Sequence, residues 1–383
     1  MKFSLLLEIA GGVGTLASLA FYFLAACGLI DFLKRDRKIL FSSLTPPVSF
    51  LKPLKGVDPE IWQSFCSHAE QDYPEFEIIF GVSDAADPAC EVVRRLQTAY
   101  PKRQIKLIVC ERTLGANVKV SNLAQMLPHA SHEILLVNDS DIRVEPKYLR
   151  EVVAPLGDAE IGLVTCLYRA ECASTLGSRL EALSIATDFV PGVLSARFLE
   201  NGLHFGLGST LALRRADLEA IGGFEAILDY LADDYELGRR IANTGKKVEL
   251  SSAVVTTFLP AYSVGEFWRH QLRWSRTIRD ARPGGYFGLL FTFGLPWALL
   301  MTIASGGAAW AWIFLALTYG VRIALGMATA RVLSDRHAMR GIFLLPLRDL
   351  IAPLVWLAGL AGNRVHWRGE DFYLRNGRLS KIG

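Results

Sequence analysis

The sequence predicts an α/β domain with a mixed, mostly parallel sheet, set between an N-terminal transmembrane helix and further transmembrane helices near the other end. Three observations predict it. No charge occurs from Ile9 to Ile30, a run of about twenty residues and enough to cross ~30 Å of hydrocarbon. Short apolar runs then alternate with amphipathic stretches from Val48 to Leu167. Long apolar runs return beyond Arg282-Pro283.

The first run is too long for the core of a cleaved signal peptide. Leu24-Ala25-Ala26-Cys27 resembles a lipoprotein cleavage box, but mostly apolar residues continue to Leu33, so a retained anchor over 1–33 is the better reading. Lys34, Arg35, Arg37 and Lys38 come directly after it, against only Lys2 before it. The positive-inside tendency places the domain after residue 34 in the cytoplasm.

After Thr45-Pro46-Pro47 the runs Val48–Leu51, Phe76–Val82, Ile105–Val109, Ile134–Val137 and Ile161–Leu167 read as buried strands. Pro88–Leu96 and Pro146–Val153 read as the helices between them. The catalytic domain is expected over 46–282, including an interfacial helix over 264–279. Membrane segments are expected over 283–362. Tyr286–Ala304 and Ala308–Leu325 are nearly uncharged, but Gly341–Leu360 carries Arg348 and Asp349 in its interior. That segment is either a span with a paired charge or an interfacial helix, and the basic tail 363–383 favours the second through an even number of crossings.

Composition excludes several classes. The formal charge of +3 and the lack of a basic run interleaved with aromatics argue against nucleic acid. The six cysteines include no C-x-x-C pair, which removes support for a zinc or thioredoxin-like site.

Acidic clusters sit where an α/β sheet binds ligands, beyond the carboxyl ends of its strands. Asp84 and Asp87 come after Phe76–Val82. Asp139-Ser140-Asp141 comes after Ile134–Val137. A D-x-D triplet at a strand end can hold a hard divalent cation, which in turn neutralises a pyrophosphate; an ordinary polar turn has the same look. Asp233-Asp234 opens a helix-like run, and acids there are also favoured by the helix dipole alone. One such carboxylate suffices as the general base of an inverting sugar transfer. Lys119, in Gly115–Asn122, can reach a phosphate or be an ordinary surface lysine. Trp268–Trp274 reads as an amphipathic surface helix, with Arg273 suited to diphosphate oxygens and Trp274 to a wall of the site.

Taken together, Asp84, Asp139-Ser140-Asp141, Asp233-Asp234 and Arg273-Trp274 resemble the D, D, D, (Q/R)-x-x-R-W signature of processive and lipid glycosyltransferases of the GT-A fold. Val48–Gly56, Gln71–Pro74, Asp87-Pro88-Ala89 and Asp234-Tyr235 narrow the resemblance to the ceramide glucosyltransferase family (family 21), including bacterial relatives that glycosylate hopanoids. The resemblance implies a GT-A nucleotide-diphospho-sugar transferase domain, a divalent cation (Mg or Mn), inversion and a lipid acceptor. It implies donor contacts from Asp84, Lys119, Asp139, Arg273 and Trp274, metal contacts from Asp139 and Asp141, and Asp234 as catalytic base. Asp233, His270 and Gln271 are supporting candidates beside it.

Two positions depart from the pattern. His270 stands four before Trp274 in place of Gln or Arg, and Asp141 replaces the glycine of eukaryotic members. Both pull towards the bacterial branch. The expected protein is an integral membrane enzyme of a bacterial inner membrane, its catalytic domain cytoplasmic, using a UDP-sugar and ceramide or a hopanoid as acceptor. The rivals are a processive polysaccharide synthase, for which the terminal spans are few, and a non-enzymatic scaffold, for which the intact carboxylates are unexpected.

Overall fold

The computed structural model describes residues 2–36 and 45–382; Arg37 and Lys38 of the basic cluster lie outside them. The chain forms two compact units interleaved in sequence. A sheet unit comprises Lys34–Arg169, Gly202–Pro260 and Gly377–Gly383. A helical unit comprises Met1–Leu33, Ala170–Asn201 and Ala261–Asn376. Residues 170–201, within the stretch read from sequence as catalytic domain, thus pack among the apolar helices.

The main sheet holds β1 (Val48–Pro53), β2 (Phe76–Val82), β3 (Gln104–Val109), β4 (Ile134–Val137), β5 (Ile142–Arg143), β6 (Ile161–Cys172), β7 (Leu211–Arg214) and β8 (Lys247–Leu259), in the order β3-β2-β1-β4-β7-β6-β8-β5, and Arg364–Trp367, Glu370–Arg375 and Arg378–Lys381 form a second, three-stranded sheet. β1 runs parallel to β2 and β4, and β2 to β3. β7 is antiparallel to β4 and β6, and β5 to β8. The sheet is therefore mixed. β1, β2 and β4 are buried at every position, which is why they read as mainly apolar runs rather than alternating ones. Phe50, Phe65, Phe80, Val93 and Leu149 meet in the core of this unit. The one acid of β2, Glu77, is buried but satisfied by Ser49 Oγ at 2.6 Å, Ser131 N–H at 2.6 Å and Lys106 Nζ at 2.7 Å. A buried charge persists only with such partners.

Among the described residues four helices are long and apolar enough to cross a membrane: Phe3–Lys34, Leu176–Leu199, Ala309–Val332 and Arg336–Leu360. A fifth candidate, Pro283–Thr292 with Gly294–Ala304, bends by 52°. The first helix packs through small residues. A Cβ at Gly11 would lie 2.7 Å from Met301 N, at Gly14 it would run into the Trp297 ring, and at Gly28 it would lie 2.5 Å from Leu194 O. Close backbone approach replaces the hydrophobic drive that lipid cannot supply.

The interior charges of the helical unit are paired. Arg322 bonds Asp349 at 2.8 Å and Asp188 at 2.6 Å, and Arg348 lies 3.0 Å from Asp188. Asp188 sits on a π-turn, Ile185–Phe189, inside Leu176–Leu199. The charge pair in Gly341–Leu360 thus has partners on other helices, as an ionisable residue inside a membrane segment requires.

Candidate active site

Because β1, β2 and β4 are parallel, Asp84 after β2 and Asp139 after β4 stand at one edge of the sheet, flanking the end of β1. Asp84 is exposed, and its carboxylate accepts the Ala86 N–H at 2.8 Å, closing a turn. Asp139 is held in a denser arrangement. Lys119 Nζ lies 2.8 Å from Asp139 Oδ1 and 3.0 Å from Asp233 Oδ2. Burial would lower the Lys119 ammonium, but Asp139, Asp233 and Asp234 outweigh it and hold it above the ordinary lysine value. Lys119 is therefore a fixed cation between two acidic motifs that lie far apart in sequence.

Asp234 approaches Asp139 from the other side. β7 pairs with β4, so the loop before β7 passes beside Asp139. Asn138 Nδ2 fixes that loop by donating to Ser209 O at 2.7 Å, and Thr165 Oγ1 accepts the Leu207 N–H at 2.9 Å. A Cβ at Gly208 would lie 3.1 Å from Asp234 Oδ2 and 3.4 Å from Asp139 Oδ2. Glycine at 208 leaves open the space that these two carboxylates face. Helix Asp233–Asn243 comes equally close, since a Cβ at Gly238 would collide with Gly206 N. Burial, then the charge of Asp233, pushes the Asp234 carboxyl up to about 6, with Lys119 pulling the other way.

Asp141 stands over β8. Thr257, opposite Ile142 in the β5–β8 pair, donates to Asp141 Oδ2 at 2.5 Å. Burial and the neighbouring Asp139 raise Asp141 to about 6. Ser140 turns the other way and donates to Asp58.

Beneath Asp139 lies Lys52, fully buried at the end of β1. Its ammonium donates to Asp139 O at 3.0 Å and lies 3.3 Å from His68 Nε2. His68 Nδ1 is 2.7 Å from Ser64 O, so that nitrogen carries the proton and Nε2 accepts from Lys52. Burial, then Lys52, holds His68 far below its ordinary value, while burial lowers Lys52 to about 7 against the pull of Asp141 and Asp139. Lys52, His68, Asp58, Thr257 and Gly208 were not singled out from the sequence. Lys52 alone had a usable signal, a lysine in an otherwise apolar strand.

Asp139 and Asp141 offer carboxylate oxygens of the kind Mg or Mn takes. Among the described residues no three His, Cys, Asp or Glu side chains form a metal cage. A pair fits a small hard cation that completes its shell with substrate phosphates and water. The donor set thus suits a metal–diphosphate site.

His270, Gln271, Arg273 and Trp274 belong to the helical unit, on helix Val264–Ala281. Ser263 caps it, accepting the Glu266 N–H while Glu266 accepts the Ser263 N–H at 2.8 Å. Gln271 is buried and donates to Glu181 at 2.9 Å; His270 Nδ1 lies 3.0 Å from the other Glu181 oxygen. The His270 ring stands 5.7 Å from Tyr262 and 5.3 Å from Trp274, and Trp274 stands 5.9 Å from Phe189. Glu181, which organises this cluster, was also not apparent from the sequence.

Comparison with known proteins decides the lineage. Residues 14–380 match the model of glycosyl transferase family 21. The chain belongs to that family. Ceramide glucosyltransferase 3 of Caenorhabditis elegans is 26% identical over 357 residues, covering 88% of this family 21 chain and 74% of the worm protein. Ceramide glucosyltransferase 1 of the same organism is 22% identical over 342 residues, with 86% and 72% covered. A probable glycosyltransferase of Bacillus subtilis, YdaM, is 25% identical over 236 residues, covering 60% and 55%. Among solved structures, a mannosyltransferase from Pyrobaculum calidifontis in complex with GDP-Man and Mn²⁺ aligns with a TM-score of 0.53 at 20% identity, covering 91% of this chain and 97% of that one. The family 21 chain is a glycosyltransferase with the GT-A fold.

Proposed function

We propose that this enzyme moves a hexose, glucose in the first instance, from a UDP-sugar to a hydroxyl of a membrane lipid, with inversion. One observation carries the reading: Asp234 faces Asp139 across the space left open at Gly208, and is buried enough for its carboxyl to titrate near 6. A carboxylate with that pKa is ionised at neutral pH yet basic enough to accept a proton. The acceptor hydroxyl oxygen attacks the anomeric carbon while its proton passes to Asp234; the bond from that carbon to the UDP oxygen breaks, and UDP leaves. A divalent cation held by Asp139 and Asp141 would neutralise the leaving diphosphate. Lys119 holds Asp139 and Asp233 in place. The apolar helices suit a lipid acceptor, and Lys34 and Arg35 after the first of them favour a cytoplasmic sheet unit, where nucleotide-sugars are made.

The worm relatives, both named ceramide glucosyltransferases, support ceramide as acceptor. Asp141 and His270 support the alternative, a hopanoid glycosylated from UDP-N-acetylglucosamine. Purified protein in liposomes holding ceramide or a hopanoid, given UDP-glucose or UDP-N-acetylglucosamine, is expected to yield a singly glycosylated lipid by mass spectrometry. A ladder of longer products would replace this reading with a polysaccharide synthase. Free sugar alone, or no turnover of any donor, would refute lipid transfer.

The rate should also depend on pH with a defined sign. Asp234 must be ionised to act, and its carboxyl is raised from 3.8 to about 6. With metal and donor saturating, kcat is expected to hold at neutral pH and fall about tenfold per unit below about pH 6. At limiting metal the fall should steepen, because burial and Asp139 raise the Asp141 carboxyl and its proton competes with the cation. A flat kcat profile down to about pH 4.5 would remove Asp234 from the role of base.

A further inference from the structure

The last described strand, Arg378–Lys381, closes on the loop that leads into Asp233-Asp234. Leu379 N–H donates to Asp229 O at 2.7 Å, Leu231 N–H donates to Gly377 O at 3.0 Å, and Tyr230 bridges Arg378 in antiparallel fashion. The Arg378 guanidinium lies 5.1 Å from the Tyr230 ring centroid. Gly377 has φ +76°, and a Cβ there would meet the Tyr230 ring at 3.4 Å.

The same loop, Leu228–Leu231, grips the start of the Lys119 helix from its other side. Asn117 N–H donates to Leu228 O at 2.8 Å, Ala116 N–H to Asp229 Oδ1 at 2.9 Å, and Asn117 Nδ2 to Tyr230 O at 2.7 Å. Asn117 also caps that helix by accepting the Val120 N–H at 3.2 Å. Gly115 must be small, since a Cβ there would lie 2.6 Å from Leu228 Cβ. Asp229 is the hinge of the arrangement: its carbonyl takes the last strand and its carboxylate takes Ala116.

We infer that Gly377–Leu379 is a positioning element of the active site. It pins Leu228–Leu231, and through that loop sets both Lys119 and the Asp233-Asp234 pair. Backbone bonds carry the effect, so the element acts on geometry rather than on charge. The inference rests on the sugar-transfer site proposed above. A shift of order 1 Å in such a group costs about a hundredfold in rate.

The test uses the full-length membrane protein and two readouts. Leu379→Pro removes the N–H given to Asp229, whereas Leu379→Ile keeps it at similar volume. Leu379→Pro is expected to speed amide hydrogen exchange at Ala116 and Asn117 about tenfold or more, leave β1 and β2 protected, and lower kcat by about ten- to a hundredfold. Leu379→Ile should match the parent in both. If Leu379→Pro fails to fold, Gly377→Ala carries the same test, because φ +76° is strained for any side chain and the change disturbs the seat of the strand while leaving Asp229 and Ala116 as they are. Unchanged protection at Ala116 and Asn117 overturns the inference, as does lost protection with unchanged kcat. A parent that transfers no sugar refutes the function, and the exchange readout then still decides whether strand and helix are coupled.

Discussion

Asp234→Asn is expected to cut the turnover number by roughly 10²–10⁴-fold, about 3–5 kcal/mol of barrier. Asparagine keeps the size of the side chain, and its amide oxygen can still accept the Tyr235 N–H that Asp234 takes at 2.8 Å. What it lacks is a basic oxygen for the acceptor proton. Donor affinity should change little, because the lost interaction is made in the transition state. Asp233→Asn should be far milder in kcat. Adjacent residues on a helix point about 100° apart, and Asp233 is turned to Lys119 at 3.0 Å. Calorimetry with a UDP-sugar and steady-state rates on both variants make the comparison. Intact affinity with the activity loss reversed between the two would transfer the role to Asp233. No loss in either would end the single-base mechanism.

Asp139→Ala should be at least as damaging, by a different route. It removes one of the two oxygen ligands offered to the cation and strips Lys119 of its 2.8 Å partner. Developing charge on a diphosphate leaving group is worth several kcal/mol to a bound metal, so a loss beyond about 10³-fold is expected, with weaker donor binding. The main-chain oxygen of residue 139 remains to receive Lys52, so the buried lysine keeps a partner and the fold should survive. Treating the parent with excess chelator should reproduce the loss, and Mg²⁺ or Mn²⁺ should restore it. Full activity in chelator would exclude the metal–diphosphate assignment.

The contrast between these residues and their supports shows what the sequence can express. Phe76–Val82 and Ile134–Val137 are legible to the residue because burial on both faces demands apolar runs, broken in the first only by Glu77. Asp139 and Asp234 are legible because one follows a strand and the other lies at the start of a helix, where ligand-facing carboxylates of an α/β sheet are expected. β7 is only Leu211–Arg214, too short for a pattern, yet it brings Gly208 between the two acids. Lys52 depends on His68 and Asp139, and Glu181 on His270 and Gln271, partners 16 to 90 residues away. Pairing over such distances leaves no local trace. The same reason hides Leu176–Leu199 among the apolar helices: Glu181 and Asp188 interrupt its hydropathy, and both are partnered by side chains far along the chain. The charges Arg348 and Asp349 leave a span and an interfacial helix both open in the sequence, because their burial and pairing depend on residues elsewhere in the chain.

The most direct test of the account is the anomeric configuration of the glycolipid formed from an α-linked UDP-sugar, read by proton NMR of the isolated product. One base and one displacement predict a β-linked sugar, and its formation should disappear with Asp234→Asn. An α-linked product would contradict the account, since retention needs a second displacement or a front-face route that a lone Asp234 does not provide.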